Sequence, residues 1–140
     1  MKVEGKLRPP RGKKDKYWGV DIPLLSIFTQ GKSKKDAYAM AVDAVEVLVD
    51  KKGFKVICVP GNKNTFTISS SDTATFIAFV LGRVRMTYGL TAREVAQRLN
   101  SKSPNAYARY EQGKAVPTVE TLEELLHAID PKLEPVLKVG

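Results

Sequence analysis

The sequence predicts an α+β fold in which a strand-rich first half is followed by a wholly helical second half. Apolar residues recur at every second position in much of residues 1–69, and at the helical spacing of about 3.6 residues beyond residue 71. One helical pattern interrupts the strands near residues 33–52. The chain has 140 residues, enough for one ordinary domain or two small ones. We therefore expect two domains, residues 1–70 and residues 71–140.

Five strands are expected in the first half. Residues 2–8 alternate between polar and apolar and predict the first strand; "YWGVDI" and "SIFTQ", separated at Pro23, predict the next two. "FKVICV" and "TFTIS" predict the last two. A helix precedes them, with Ser33 as its N-cap, Asp36 in its first turn and Gly53 just beyond its end. This order predicts one sheet with a helix on one face.

Residues 71–130 are expected to contain helices only. An apolar stripe that includes Ile77 ends at Gly89, and another runs from Thr118 to a stop at Asp130. Between them, "LTAREVAQRLN" begins with Thr91 and Glu94 at the spacing of a capping box, in which each side chain bonds the other residue's backbone N–H. A helix is therefore predicted to begin after Thr91.

The stretch "SKSPNAYARYEQGK" predicts a further short helix over residues 104–112, capped by Ser103 and ended by Gly113. Tyr107 and Tyr110 fall on its inner side. Asn105 and Arg109, four residues apart, fall on its exposed side, where Asn can pair with the edge of adenine and Arg with that of guanine. The pattern therefore indicates a helix that reads the major groove of DNA.

The basic residues support this interpretation. The net charge is +8, and residues 83–114 carry seven Lys or Arg against two Glu. The lysines of the first half, where residues 1–71 carry an excess of +7, are interpreted as solvated surface. The candidate DNA-binding residues combine base-reading side chains with surrounding phosphate donors; they are Thr91, Arg93, Lys102, Ser103, Asn105, Ala106, Arg109 and Lys114.

Two stretches, "LTAREVAQRL" and "ARYEQGKAVPTVETL", resemble the Xre/Cro-like helix-turn-helix. The resemblance implies a repressor that binds double-stranded operator DNA. A longer stretch, "WGVDIPLLSIFTQGKSKKDAYAMAVDAVEVLV", resembles the HicB antitoxin domain. That resemblance implies a degraded ribonuclease-H-like βββαββ unit in residues 1–70, which binds a small HicA-like ribonuclease toxin that cleaves mRNA.

The two resemblances together imply the antitoxin of a HicAB-like toxin–antitoxin pair, which neutralises its toxin and represses its own operon. A stand-alone helix-turn-helix transcriptional regulator remains the alternative, with the HicB-like unit as a sensor or dimer module. The alternative stays open because a surface that masks an RNA-binding toxin is expected to be acidic, whereas residues 1–71 are basic.

Enzymatic activity is not expected, and neither is a metal or another cofactor. A ribonuclease-H-like nuclease, the second alternative, would need several carboxylates that converge on two metal ions. The acidic candidates are Asp21, Asp36, Asp43, Glu46 and Asp50, of which only Asp21 lies on a predicted strand. The last three share a solvated helix face. His127 and Cys58 are interpreted as structural residues, the latter in the core.

Localisation and assembly follow from simpler features. The chain has no apolar run of membrane length, no signal-peptide pattern and a single cysteine, so a cytoplasmic protein without a membrane partner is expected.

The apolar ending "KLEPVLKVG" predicts a short strand over residues 136–139. Pairing of this strand with its two-fold mate predicts a homodimer or a higher even oligomer, and a tail folded back onto its own core is the alternative.

Overall fold

The computed structural model describes residues 1–99 and 105–136, and the chain divides into two compact units between Thr73 and Ala74. The five strands are β1 (Val3–Arg8), β2 (Trp18–Ile22), β3 (Ile27–Gly31), β4 (Ile57–Pro60) and β5 (Thr65–Ser69). The helices are α1 (Lys34–Val49), α2 (Thr73–Thr87), α3 (Ala92–Arg98), α4 (Asn105–Glu111) and α5 (Val119–Ile129), and a short 3-10 helix covers Pro23–Leu25.

The five strands form one antiparallel sheet in the order β3-β2-β1-β5-β4. The predicted α+β class and the predicted order of three strands, one helix and two strands are confirmed. Burial alternates along β1, as the period of two requires, and the buried side chains of neighbouring strands lie in register: Val3 opposite Ile68, and Leu7 opposite Val20.

Helix α1 covers the buried face of the sheet with small side chains. Ala37, Ala41 and Val45 are fully buried, and the ring of Tyr38 meets that of Phe66 edge to face at 5.8 Å. Helix and strand approach closely at the end of β3, where a Cβ on Gly31 would lie 2.4 Å from the backbone nitrogen of Ala37. Any larger residue at this position would push α1 away from the sheet.

The start of α1 is as predicted, but its end is not. Ser33 Oγ accepts a hydrogen bond from the N–H of Asp36 at 3.0 Å. The left-handed residue that ends the helix is Asp50, with φ of 49°, and Gly53 lies in the turn beyond it. Aspartate tolerates this conformation better than most residues. The fourth strand also begins later than "FKVICV" suggested, at Ile57, and Cys58 is only partly buried.

Among the described residues of the second unit, the four helices α2, α3, α4 and α5 enclose an apolar core. The most deeply buried residues of α2 follow its helical period, and α3, α4 and α5 contribute Val95, Tyr107 and Ile129. Helix α2 ends at Thr87, and Gly89, where the sequence predicts the stop, lies in the turn directly beyond it with a φ of 70° that glycine adopts without strain. Thr118 caps α5 by accepting a hydrogen bond from the N–H of Thr121 at 3.1 Å.

Candidate nucleic-acid interface

Helix α3 begins at a complete capping box. Thr91 Oγ1 accepts a hydrogen bond from the N–H of Glu94 at 3.1 Å, and Glu94 Oε1 accepts one from the N–H of Thr91 at 3.2 Å. Two backbone donors that the first helical turn leaves unsatisfied are thereby paired. The reciprocal bonds fix the direction in which the chain enters α3, and they hold the exposed side chain of Thr91 in place.

The second helix of the pair, α4, is fixed from its inner side. Tyr107 is 1% exposed, in contact with the apolar core of the unit. Glu111, in the last turn of α4, accepts hydrogen bonds from the guanidinium of Arg85 on α2, with Nε 3.0 Å from each carboxylate oxygen. A Cβ on Gly82 would lie 3.2 Å from Glu111 Oε1, so the glycine leaves room for this carboxylate against α2.

Arg85 joins three segments of the second unit. Its Nη1 donates to the carbonyl oxygen of Leu90 at 2.7 Å, in the turn before α3, while Nε and Nη2 hold Glu111. The hydrogen bond with Glu111 raises the pKa of Arg85 above its already high ordinary value. This cation therefore stays charged at any physiological pH and ties α2, the α2–α3 turn and α4 together.

The end of α4 has the geometry of a Schellman motif. The N–H of Lys114 donates to the carbonyl of Arg109 at 3.0 Å, and that of Gly113 donates to Tyr110 at 3.1 Å. Gly113 takes the required left-handed conformation, with φ of 73°. Gly113 therefore ends the helix, as predicted.

The exposed side of α4 presents the predicted base-reading residues to solvent. Asn105, Ala106 and Arg109 are all exposed. Asn105 and Arg109 lie about one turn, roughly 6 Å, apart along the same side of the helix. Tyr110, which was expected on the inner side with Tyr107, is only half-buried. The outer side of α4 is therefore polar over its first turn and cationic over its second.

Of the predicted phosphate donors, Thr91, Arg93 and Lys114 are exposed. The Thr91 hydroxyl accepts its capping bond and so keeps its own proton for donation. Lys102 and Ser103, the other two predicted donors, lie outside the described residues. The structure thus places Thr91 at the start of α3 and Lys114 just beyond the end of α4.

The basic cluster of residues 83–114 also has structural members that sequence analysis did not separate from the rest. Arg85 is one, and Arg98 is another: its Nη1 donates to the carbonyls of Ala128 and Ile129, both at 3.1 Å. A cation at this negative end of α5 is favourable. No local pattern in the sequence reveals this contact, because its partners lie 30 and 31 residues away. Arg85 and Arg98 therefore hold helices together.

The carboxylates considered for a nuclease serve local contacts. Asp21 receives two hydrogen bonds from Arg8, at 2.7 and 3.1 Å, and Glu46 Oε2 accepts one from the N–H of Val56 at 3.0 Å. Asp43 is exposed. Among residues 1–99 and 105–136, no three His, Cys, Asp or Glu side chains are grouped so that they could hold a metal ion. Within the same residues, no helix has the length and apolarity that a membrane span requires.

Comparison with protein families gives a match to most of the second unit. A helix-turn-helix family model matches residues 81–133, which include α3, α4 and α5. The match confirms the helix-turn-helix part of the sequence interpretation and indicates a DNA-binding transcription regulator; proteins of this family are typically regulators rather than enzymes. Neither the comparison with curated proteins nor that with solved structures gives a match.

Proposed function

We propose that the protein is a sequence-specific transcriptional repressor that inserts α4 into the major groove of operator DNA. The observation that carries the proposal is the pair Asn105 and Arg109, exposed one turn apart on a helix whose opposite side is anchored by Tyr107 and Glu111. An anchored helix presents its outer side chains in a fixed register, which base reading requires.

Each residue of this surface has a role that its chemistry suits. Arg109 donates two hydrogen bonds to O6 and N7 of guanine, and Asn105 pairs with N6 and N7 of adenine. Ala106 is small enough to let the backbone of α4 approach the base edges. Thr91, Arg93, Lys102, Ser103 and Lys114 donate to phosphates and set the register of the helix on the duplex.

The test is a binding titration of the full chain with a duplex taken from immediately upstream of its own gene. We expect this duplex to bind at least ~10³-fold more tightly than a random duplex of the same length, the lower bound for specific recognition. Equal affinity for the two duplexes would contradict autoregulation, and selection from a randomised pool would then show whether another sequence is read.

We further propose that two copies pair through their C-terminal ends. Val136 is 80% exposed, with Leu133 and Pro135 half-buried before it, while Leu137 and Val139 of the predicted strand lie outside the described residues. Pairing would cover these apolar residues and place two α4 helices on half-sites about one helical turn apart or a multiple of it. Deletion of residues 133–140 should give a monomer by analytical ultracentrifugation; a deletion variant that remains dimeric would contradict the proposal.

A second candidate function, as antitoxin, is favoured by the first unit. Its βββαββ order is the one that the resemblance to HicB implies, and one face of its sheet carries no helix of that unit. Phe28 on β3 and Ile57 and Val59 on β4 lie on this open face, 66%, 48% and 47% exposed, at the two opposite edges of the sheet. A partner that spans the open face would cover both edges, and we propose a small HicA-like ribonuclease toxin in this place.

The antitoxin proposal is tested by co-expressing the full chain with the small basic protein encoded next to its gene. Wild type should relieve growth arrest, and Phe28→Asp should fail to do so while it keeps operator binding. Val47→Asp is the matched control, since Val47 is similarly exposed, at 66%, but lies on α1. If no such neighbour is toxic, the stand-alone regulator is the better description.

A further inference from the structure

Cations of the first unit gather at one end of its sheet. Strand β1 ends at Arg8, opposite Gly19, and β3 ends at Gly31, opposite Trp18. On the other side of β1, the N–H of Leu7 donates to the carbonyl of Asn64 at 2.7 Å and brings the loop of residues 61–64 to the same end. We call this region the basic end, defined by the nine lysines and arginines within residues 8–16 and 32–35 and at position 63, all of them exposed.

Three carboxylates lie among these cations, and each is engaged within the protein. Asp15 accepts hydrogen bonds from the N–H groups of Arg11 and Tyr17, at 3.1 and 3.0 Å. Asp21 holds Arg8, and Asp36 accepts from the N–H of Lys32 at 2.9 Å. Within residues 1–99 and 105–136, Arg8 is the one cation of the nine that forms a salt bridge. The basic end therefore carries a net charge of +6.

The opposite end of the same sheet is nearly neutral. Lysines 2, 51, 52 and 55 lie there with the carboxylates of Glu46, Asp50 and Asp72, and Lys51 forms a salt bridge with Asp72 at 2.8 Å. The sequence alone indicated a solvated basic surface spread over the first half of the chain. The fold instead separates the charge along the strands, and a surface polarised in this way attracts a polyanion to one end.

We infer that the basic end binds the phosphate backbone of duplex DNA beside the site that α4 reads. The inference rests on the proposed repressor function, to which it adds a second contact surface without base recognition. Only Ser70 to Asp72 separate β5 from α2, so the first unit is tethered to any DNA that the second unit holds; the tether leaves the end of the sheet opposite the basic end, so the basic end lies about one strand length, roughly 17 Å, from it. A surface tethered in this way meets the duplex at a high effective concentration and adds affinity through weak contacts.

The chemistry of the basic end fits phosphates better than it fits a folded protein. A protein interface needs an apolar centre, whereas Tyr17, 44% exposed, is the one large apolar side chain exposed at this end among the described residues. Lysine provides a point charge that contacts phosphate without reading a base. Duplex DNA carries one charge per roughly 1.7 Å of its axis, dense enough to engage several of these lysines at once.

The test compares two charge-matched triple variants of the full chain. Lys13→Gln, Lys14→Gln and Lys16→Gln remove three charges from the basic end; Lys2→Gln, Lys52→Gln and Lys55→Gln remove three from the opposite end. Binding to the upstream duplex and to a random duplex, each of ~60 base pairs or about six helical turns, is measured between about 50 and 200 mM salt.

We expect the basic-end variant to lose about tenfold or more in affinity near 0.1 M salt, with a salt slope lower by about 1 to 3, since each phosphate contact contributes about 0.9. The loss should be equal on both duplexes, so that the preference for the upstream sequence is unchanged. The opposite-end variant should match wild type. A second variant, Lys32→Gln with Lys35→Gln, should show a smaller loss of affinity and of salt slope. This result would show that the loss does not depend on the loop of residues 9–17.

Three results would overturn the inference: an unchanged slope in the basic-end variant, equal losses in both triple variants, or, in a parallel titration of a single-stranded RNA of the same length, a loss of affinity that neither duplex shows. The first would show that the basic end does not contact DNA, and the second that only total charge matters. Failure of the repressor proposal looks different, because wild type would then show no preference for any duplex sequence while the charge variants could still differ.

Discussion

Arg85 and Glu111 form a two-pronged ion pair between α2 and α4, and their side chains are only 16% and 17% exposed. The pair is placed directly behind the proposed base-reading side of α4, one turn from the position of Tyr107. Parallel hydrogen bonds from a planar guanidinium restrict rotation as well as distance. The orientation of α4, and with it the direction in which Arg109 points, therefore depends on this contact.

Replacement of Glu111 by Gln should lower the free energy of unfolding by about 2–4 kcal/mol, because it leaves the guanidinium of Arg85 largely shielded from water without a counter-charge. Urea denaturation monitored by circular dichroism measures the change. The control is Lys51→Gln, which removes a salt bridge whose two side chains are 55% and 36% exposed; it should cost less than about 1 kcal/mol. Equal losses would show that the Arg85–Glu111 pair is no more than a surface contact.

Tyr107→Phe should leave stability unchanged or raise it by up to about 1 kcal/mol. The hydroxyl of Tyr107 is buried beside the Arg85–Glu111 ion pair without a well-formed hydrogen bond to any described residue, and burial together with the Glu111 carboxylate raises its pKa. Removing an unsatisfied buried hydroxyl removes a desolvation cost. Thermal unfolding is the measurement, and a clear decrease in Tm would mean that the hydroxyl has a partner in solution, such as a water molecule.

The elements of this fold could be predicted wherever the determining interactions are local. Ser33, Thr91 and Thr118 cap helices that begin where the sequence indicates, and the change of period near residue 70 separates strands from helices. The outer residues of α4 were predicted for the same reason. Contacts between residues far apart in the sequence could not be predicted: Arg85 binds Glu111, which is 26 residues away, and Arg98 binds the end of α5, which is 30 residues away. A count of charges could not show which cations form ion pairs or hydrogen bonds within the protein.

Arg98 and Arg109 should therefore have different mutant phenotypes, although both belong to the same basic cluster. Arg98→Ala removes a cation from the last carbonyls of α5 and should cost about 1 kcal/mol in stability. Arg109→Ala should leave stability within about 0.5 kcal/mol, as is usual for an exposed residue. On the cognate operator it should cost about 1–3 kcal/mol of binding energy and relax the preference at one base position.

The measurements that separate the two arginines are urea denaturation and binding to operator and random duplexes. Arg109→Lys is the informative companion variant, because lysine keeps the charge but cannot reproduce the planar, two-pronged contact with guanine. It should retain affinity for random DNA and lose specificity. If Arg109→Ala weakens binding to operator and random DNA equally, Arg109 contacts phosphate and does not read a base.

Thr91→Ala should destabilise the protein by about 0.5–2 kcal/mol through the loss of the α3 cap, and it should also weaken DNA binding through the loss of a hydroxyl next to the proposed phosphate contacts. Thr118→Ala provides a matched control, since it removes a comparable cap from α5. The control should lose similar stability and bind DNA as wild type does at a temperature where both variants remain folded. A similar weakening of binding in both would assign the effect of Thr91 to stability alone.

The loop of residues 9–17 should loosen at acid pH because Asp15 organises it. The N–H groups of Arg11 and Tyr17 donate to this carboxylate and lower the pKa of Asp15 below its ordinary value. A lowered pKa in the folded state means that the contribution of the carboxylate to stability is complete at pH values above the ordinary pKa. It is lost as the pH falls through the pKa of the folded state.

In a titration followed by NMR, the amide signals of Arg11 and Tyr17 should shift together with the Asp15 carboxyl, at a pH below about 3.9. In Asp15→Asn the coupled shift of the two amides should disappear, and at neutral pH the loop should become less ordered. An Asp15 carboxyl that titrates at or above its ordinary pKa would show that these two hydrogen bonds do not persist in solution.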